Sequence, residues 1–352
     1  MLGVYVHTPF CKKKCNYCAF YSKTGREKDF SKYAKCVAKE ALTYEKQDID
    51  TIYFGGGTPS LLGAENISQM LRGIKSAFNV CDNAEITLEA NPKTVTEQEL
   101  CALFSEGVNR ISFGFQSFID EELSALGRIH SAKDGEDAVK MAKNAGFENI
   151  SGDIMTAIPN QTMESLDITI DKMLSLGLTH ISAYSLTIEE GTPFEKSKNT
   201  LSLPDEDTER KMYRHLAKRL KAANFEHYEI SNFAKDSKRS RHNTKYWQNE
   251  PYIGLGAGAH SYFCGERYQN AEDIDAYLIG KDIKCNIQKI DEAELKKEKI
   301  MLGLRMSDGI LYEENSKTDK YINLGYMERV GKNVRLTEKG IDISDYIFSD
   351  LM

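Results

Sequence analysis

The sequence predicts an α/β fold: a partial (β/α)6 barrel followed by a small C-terminal winged-helix-like α+β module. Three observations lead there. Six short β-rich runs each return through a helical segment over the first two thirds of the chain, which implies a parallel sheet. His7, "GGGTPS" (Gly55–Ser60), Glu89, Gln116, Asp153 and Ser185 fall at or just beyond the C-terminal ends of successive runs. In a barrel those ends ring one mouth, whereas an open sheet spreads them along a line. Finally, the alternation breaks near residue 225, and a hairpin-like "MERVGKNVRL" follows helices near the end.

Taken in order, strands are expected at 3–7, 51–54, 85–90, 110–113, 149–154 and 180–186. Helices are expected at 27–46, 64–79, 96–106, 120–126, 133–145, 162–176 and 205–223. Thr96 with Glu99, Ser131 with Asp134 and Thr162 with Ser165 are helix-start pairs. Gly107, Gly146 and Gly177 sit where helices should end. Beyond residue 225, "HYEISNFA" and "NTKYW" read as short strands and "GLGAGAHS" as a glycine-rich loop. A helix near 291–304 opens the last unit. The expected organisation is a barrel over 1–225, a connecting β/loop region over 226–290 and the winged-helix-like module over 291–352.

Composition narrows the class. Of 352 residues 41% are hydrophobic, and 46 Lys and Arg face 53 Asp and Glu for a net charge of −7. That balance repels phosphate backbones, so no nucleic-acid partner is expected. No apolar run approaches the roughly 20 residues of a membrane span, and no signal peptide precedes the first strand, so a cytoplasmic location is expected. Local basic runs are Lys12–Lys14 and "KDSKRSRH" at 235–242.

Five of the eight cysteines are scattered; Cys11, Cys15 and Cys18 form a C-x3-C-x2-C group directly after the first strand. Zinc usually takes a second knuckle, absent here, although His7 is available as a fourth ligand. A redox C-x-x-C pair leaves Cys11 unexplained. A [4Fe–4S] cube fits better, because three thiolates hold three irons and leave one open to an amine and a carboxylate. Three glycines at the second strand's end let backbone approach a ligand closely.

These two elements together resemble the radical S-adenosylmethionine superfamily, whose cysteine loop holds such a cluster beside the cofactor. More closely, "YVHTPFCKKKCNYCAF", "YFGGGTPS", "LEANP", "RISFGFQSF", "LGRIH", "DIMTAIP" and "GLGAGAHS" are similar to the oxygen-independent coproporphyrinogen III oxidase group. The resemblance implies that Tyr5 and Tyr17 flank the cofactor and that Gly57 and Thr58 contact its methionine part. It implies further that Glu89, Gln116, Arg128 and Asp153 bind its polar groups. A ribose diol suits Gln116 and Asp153, a carboxylate suits the Arg128 fork, and an ammonium or sulfonium suits Glu89.

The oxidases carry a further cysteine two residues past the third ligand, where this chain has Phe20, and an extra N-terminal segment for which there is no room before Cys11. "HNTKYW" (His242–Trp247), which holds the single Trp, matches the H-N-x-x-Y-W pattern of the related heme chaperones of the HemW type. That resemblance implies heme binding and delivery to heme-accepting proteins, with His242, Tyr246, Trp247 and His260 as heme-site residues. An electron donor is a further partner if the cluster is redox active. The 235–242 basic run would meet heme propionates or an anionic membrane surface. Two other readings stay open: coproporphyrinogen III oxidation to protoporphyrinogen IX, and, less favoured by charge, an RNA-modifying enzyme. Whether S-adenosylmethionine is cleaved is open as well.

Overall fold

The structure, a computed structural model, describes all 352 residues. Six parallel strands lie in chain order: β1 (Leu2–Thr8), β2 (Asp48–Gly56), β3 (Asn79–Ala90), β4 (Arg110–Gln116), β5 (Asn149–Thr156) and β6 (His180–Ser185). Helices Phe30–Ala41, Gly63–Ala77, Glu97–Ser105, Ala132–Asn144, Met163–Ser175 and Glu206–Ala222 carry the chain between strands and cover one face. Capping boxes at Thr96, Ser131 and Thr162 start three of them, each with its side chain accepting from the N3 amide, as their sequences predict.

Residue alternation explains why the sheet curls around something polar. A parallel strand buried on both faces ordinarily reads as a continuous apolar run. Here every second residue is polar: Thr51 and Tyr53, Glu85, Thr87 and Glu89, Arg110, Ser112 and Gln116, Ser151 and Asp153, His180, Ser182 and Tyr184. The intervening Ile52, Phe54, Ile86, Leu88, Ile111, Phe113, Ile150, Ile154 and Ile181 are buried in one large apolar core with the helices. The polar set faces the lumen.

Residues 226–290 extend both edges of this sheet. The strands β7 (Glu226–Glu229) and β8 (Asn232–Ala234) add beyond β6. Next, β9 (Tyr252–Leu255) pairs parallel to β1, and β10 (His260–Phe263), β11 (Glu266–Asn270) and β12 (Lys284–Lys289) continue outward from it, giving twelve strands in all. The "NTKYW" strand expectation fails: Arg241–Trp247 is a helix. Ser240 accepts from the Asn243 amide, and the buried Glu85 carboxylate accepts from the Arg241 and His242 amides at 3.1 Å each. Satisfying these free N-terminal donors outweighs the β preference of Thr, Tyr and Trp.

The C-terminal module has its own small core of Leu304, Tyr321, Met327, Val334, Leu336, Ile347 and Phe348. Helices Glu292–Arg305, Ser316–Asn323 and Ser344–Leu351 surround a three-stranded antiparallel sheet of β13 (Ile310–Leu311), β14 (Met327–Val330) and β15 (Asn333–Leu336). The hairpin lies where the sequence places it.

Candidate cluster and cofactor site

The cysteine loop leaves β1 at the barrel mouth and is held by its backbone. The Cys11 amide donates to Lys23 O (3.0 Å), and the Lys23 amide returns to Pro9 O (2.9 Å). On the far side, Asn16 anchors the loop through its amide to Leu126 O (3.0 Å) and its side chain to Ala125 O (2.8 Å). The end of β2 is stitched to the same loop by Gly57 N to Thr8 O and Thr58 N to Phe10 O, both 2.8 Å. A Cβ on Gly57 would sit 2.7 Å from Phe10 O and 3.0 Å from the Cys11 sulfur, so only glycine permits this approach. Here is the physical reason for pairing the glycine run with the cysteines.

All three thiols are free and partly exposed. Thr58 Oγ1 donates to Cys11 Sγ (3.6 Å) and Arg128 Nη1 to Cys15 Sγ (3.5 Å), contacts that suit thiolates bound to iron. No three His, Cys, Asp or Glu side chains lie close enough to hold one metal ion. The cysteine donors fit the cluster.

The lumen beneath the loop has two levels. Tyr5, Tyr17, Glu89, Arg128, Asp153, Ser182 and Tyr184 retain partial exposure and line a cleft open to the mouth. Thr51, Thr87, Arg110, Ser112, Ser151, His180 and His242 lie beneath them, buried. In the cleft, Glu89 accepts the Tyr53 hydroxyl (2.7 Å), and its carboxyl is pushed up to about 7, chiefly by burial. Burial likewise raises Asp153 to about 6, against hydrogen bonds from Ser182 and Ser112. Arg128 donates to Gly114 O, and its Nε has no protein partner, so a ligand carboxylate beside it would satisfy a buried donor. Gln116 ends β4 at a register shift with φ 70°, and its side-chain oxygen accepts from Tyr184 (2.8 Å). The irregularity and the left-handed backbone re-aim this side chain at the mouth.

His7 ties the loop to the barrel. Its Nε2 lies 3.0 Å from the Tyr21 carbonyl, so Nε2–H donates and Nδ1 accepts the Tyr5 hydroxyl at 3.1 Å. The structure thus brings Tyr5, Tyr17, Gly57, Thr58, Glu89, Gln116, Arg128 and Asp153 to the mouth that carries the three cysteines.

The heme-site residues divide. His242 is fully buried, with Nδ1 2.8 Å from Thr51 Oγ1 and Nε2 2.8 Å from the Tyr246 hydroxyl. Its ring lies against Tyr53 and Tyr5, and burial holds its pKa down to about 3. Trp247 faces the C-terminal module, with the Arg305 guanidinium 4.3 Å from its ring. In this arrangement neither His242 nitrogen is open to iron. His260, exposed at the start of β10, is close enough for its charge to act on His7 at the mouth. In the 235–242 basic run, Arg239 is paired with Glu226 and Asp308, and Arg241 with Asp50.

Tyr53, Arg110, Ser112, Ser182 and Tyr184 also belong to the lumen; the first three lie within "YFGGGTPS" and "RISFGFQSF" but carry no assigned role there, and the last two lie outside every motif. Their signal is the polar phase of the strand alternation, which is legible once the strands are aligned.

A model of the Radical SAM superfamily matches residues 5–173. The barrel, the glycine strand end and the three-cysteine loop are those of a radical S-adenosylmethionine protein. The E. coli coproporphyrinogen III oxidase, a radical SAM enzyme, has the same fold, with a TM-score of 0.86 at 19% identity over 99% of this chain and 89% of that one. Sequence similarity is greater to the heme chaperone HemW of Lactococcus lactis, 33% identical across 99% of this chain and 97% of the relative. HemW of Bacillus subtilis is 36% identical across 88% and 85%. The chain belongs to the HemW family of heme chaperones.

Proposed function

We propose that the protein is a heme chaperone that binds a [4Fe–4S] cluster, S-adenosylmethionine and heme, and transfers heme to acceptor proteins. The observation that carries this reading is similarity to a heme chaperone along 99% of the chain. Phe20 supports it: where the oxidases place a further thiol, this side chain is 70% exposed beside the cluster loop.

Cys11, Cys15 and Cys18 are the cluster ligands. When bound, the cluster supplies redox-active iron with one coordination position open to an amino acid's amine and carboxylate. Arg128 takes the cofactor carboxylate through its free Nε edge. Glu89 faces the cofactor's cationic part, Gln116 and Asp153 its ribose diol, and Tyr5 and Tyr17 form the walls. Gly57 and Thr58 lie along the methionine part.

For heme, His260 is the proposed iron ligand, because it combines exposure with a place at the mouth. His242, Tyr246 and Trp247 act from behind, holding the barrel wall that carries Tyr5 and Tyr53. Lys12, Lys13 and Lys14 are exposed on the cluster loop and form the docking edge for an acidic electron donor.

Anaerobic reconstitution followed by parallel assays of heme binding and coproporphyrinogen turnover on one preparation tests the reading. Micromolar or tighter heme binding without turnover is expected. Turnover near a typical enzymatic rate of about 1 s⁻¹ or faster overturns it.

A further inference from the structure

We propose that Arg110, buried beneath the cofactor cleft, is a positioning residue whose guanidinium is the fixed counter-charge that favours the ionised forms of Glu89, at the cofactor's cation, and of Asp153, at its ribose diol, and so sets the pH range in which S-adenosylmethionine binds. The proposal rests on the placement of those two carboxylates in the cofactor site.

Arg110 begins β4, 1% exposed, with Thr87 and Asn149 as its partners on the neighbouring strands. Neither Nε nor Nη1 has a protein hydrogen-bond partner, and the facing Thr87 hydroxyl has none either. No carboxylate forms an ion pair with it. A cation removed from water without a direct partner is costly, and an apolar side chain of similar volume would serve stability better. Its charge nevertheless reaches the cleft, stabilising the charged forms of both Glu89 and Asp153. The strand register explains the reach: Glu89 pairs with Ser112, two residues above Arg110 on β4, and Asp153 pairs with Gly114 two residues further along the same strand.

The groups facing these acids leave few other sources of positive charge. Glu89 meets Tyr53 from β2, Asp153 from β5, Tyr5 from β1 and Tyr246 from the helix Arg241–Trp247. Asp153 meets Ser182 and Tyr184 from β6, Ser112 from β4, and Arg128 and Tyr17 from the mouth. Arg128 lies against Cys15 and Gly114 O, facing the site of the cofactor carboxylate. On the lower level, His180 and His242 are kept neutral by burial, with Arg110 reinforcing the effect, and Glu85 is engaged by two backbone amides. Arg110 is thus the charge on this side of the pair. Burial alone drives both carboxyls upward; removing Arg110 drives them further, so more protons must leave before the cofactor's cation is accommodated.

Isothermal titration of S-adenosylmethionine into the cluster-loaded protein, from pH 5.5 to 9 in two buffers of different ionisation enthalpy, measures affinity and proton release together. In the wild type, affinity should climb as pH rises through 6–7, with proton release on binding. In Arg110→Met the climb should move up by about one pH unit, leaving affinity about tenfold weaker at pH 7 and near wild type at pH 9. Arg110→Lys should restore most of the profile. An equal loss at every pH, or an unmoved midpoint, overturns the proposal. If Arg110→Met fails to fold, Arg110→Lys and Arg110→Gln compared across the same pH range still decide it. Glu89→Gln separates the two layers of argument. An unchanged profile there removes the carboxylate assignment itself, whereas a flattened profile with immobile Arg110 variants removes only the role of Arg110.

Discussion

The cysteine loop and the helix Arg241–Trp247 carry the two most specific signatures in the chain, and the fold uses them in opposite ways. The loop is held chiefly by its backbone and the Asn16 side chain and leaves its thiols available: amides of Cys11 and Asn16 anchor it while the three thiols stay partly exposed. The helix commits its side chains, with both His242 nitrogens bonded inside the barrel wall. A motif residue is a ligand when its lone pair remains open, and a strut when partners have already taken it.

The largest effect expected tests the loop. Cys15→Ala should reduce iron bound after anaerobic reconstitution to near zero and abolish the cluster's visible absorbance. The apoprotein's thermal midpoint should barely move, because Cys15 Sγ accepts a single weak contact, from Arg128. Retained iron, or a large loss of stability, would give the loop a structural role and erase the contrast.

The second effect tests the helix against the exposed histidine. His242→Ala removes two buried hydrogen bonds and a packed ring, so it should cost about 2–4 kcal/mol in urea unfolding. His260→Ala should leave stability within about 0.5 kcal/mol and weaken heme binding by at least about tenfold. The reverse pattern, with His242→Ala stable but heme-deficient, would make the helix the ligand-bearing element.

How much of this was legible follows from the same contrast. The loop and the glycine run could be read from sequence because backbone spacing fixes them: three cysteines in eight residues must share one loop, and strand ends, with Glu89, Gln116 and Asp153 on them, must share one mouth. Tyr5, Tyr17 and Arg128 were legible only through the family resemblance. The helix at 241–247 could not, because its cause is distant. Glu85, on another strand, supplies the acceptor for its first amides. Arg110 was hidden for a related reason. As an isolated residue it resembles any surface arginine, and only the register of β3, β4 and β5 carries it inward beneath Glu89 and Asp153.

A pH titration sharpens the strut reading at smaller scale. His242 in the folded protein titrates at about 3, below the ordinary 6.5. The unfolded chain therefore takes up the proton first, and the stability associated with neutral His242 is present above pH 6.5 and lost as pH falls toward 3. Glu89 and Asp153, raised to about 7 and 6, contribute with the opposite sign, gaining stability as they protonate through that range. Comparing wild type with His242→Gln cancels the carboxylates and isolates the histidine. The difference in urea unfolding free energy should shrink by up to about 1.4 kcal/mol per pH unit below 6.5. A pH-independent difference would mean that the ring is not held neutral.

The smallest effect concerns the outer face of the same helix. Trp247 stacks under Arg305, which also reaches the buried Glu229 carboxylate at 3.3 Å, and Arg305 ends the helix Glu292–Arg305 of the C-terminal module. One short helix thus touches the cofactor wall through His242 and the module through Trp247. Arg305→Lys keeps the charge but loses the planar stack, so it should cost about 0.5–1 kcal/mol. Because Trp247 is the single Trp in the chain, its fluorescence reports this contact directly. A red-shifted or dequenched emission with unchanged cluster content and heme affinity is expected. Unchanged emission would show that the module does not rest on this ring, while altered heme affinity would show that the contact reaches the mouth and that the helix transmits as well as supports.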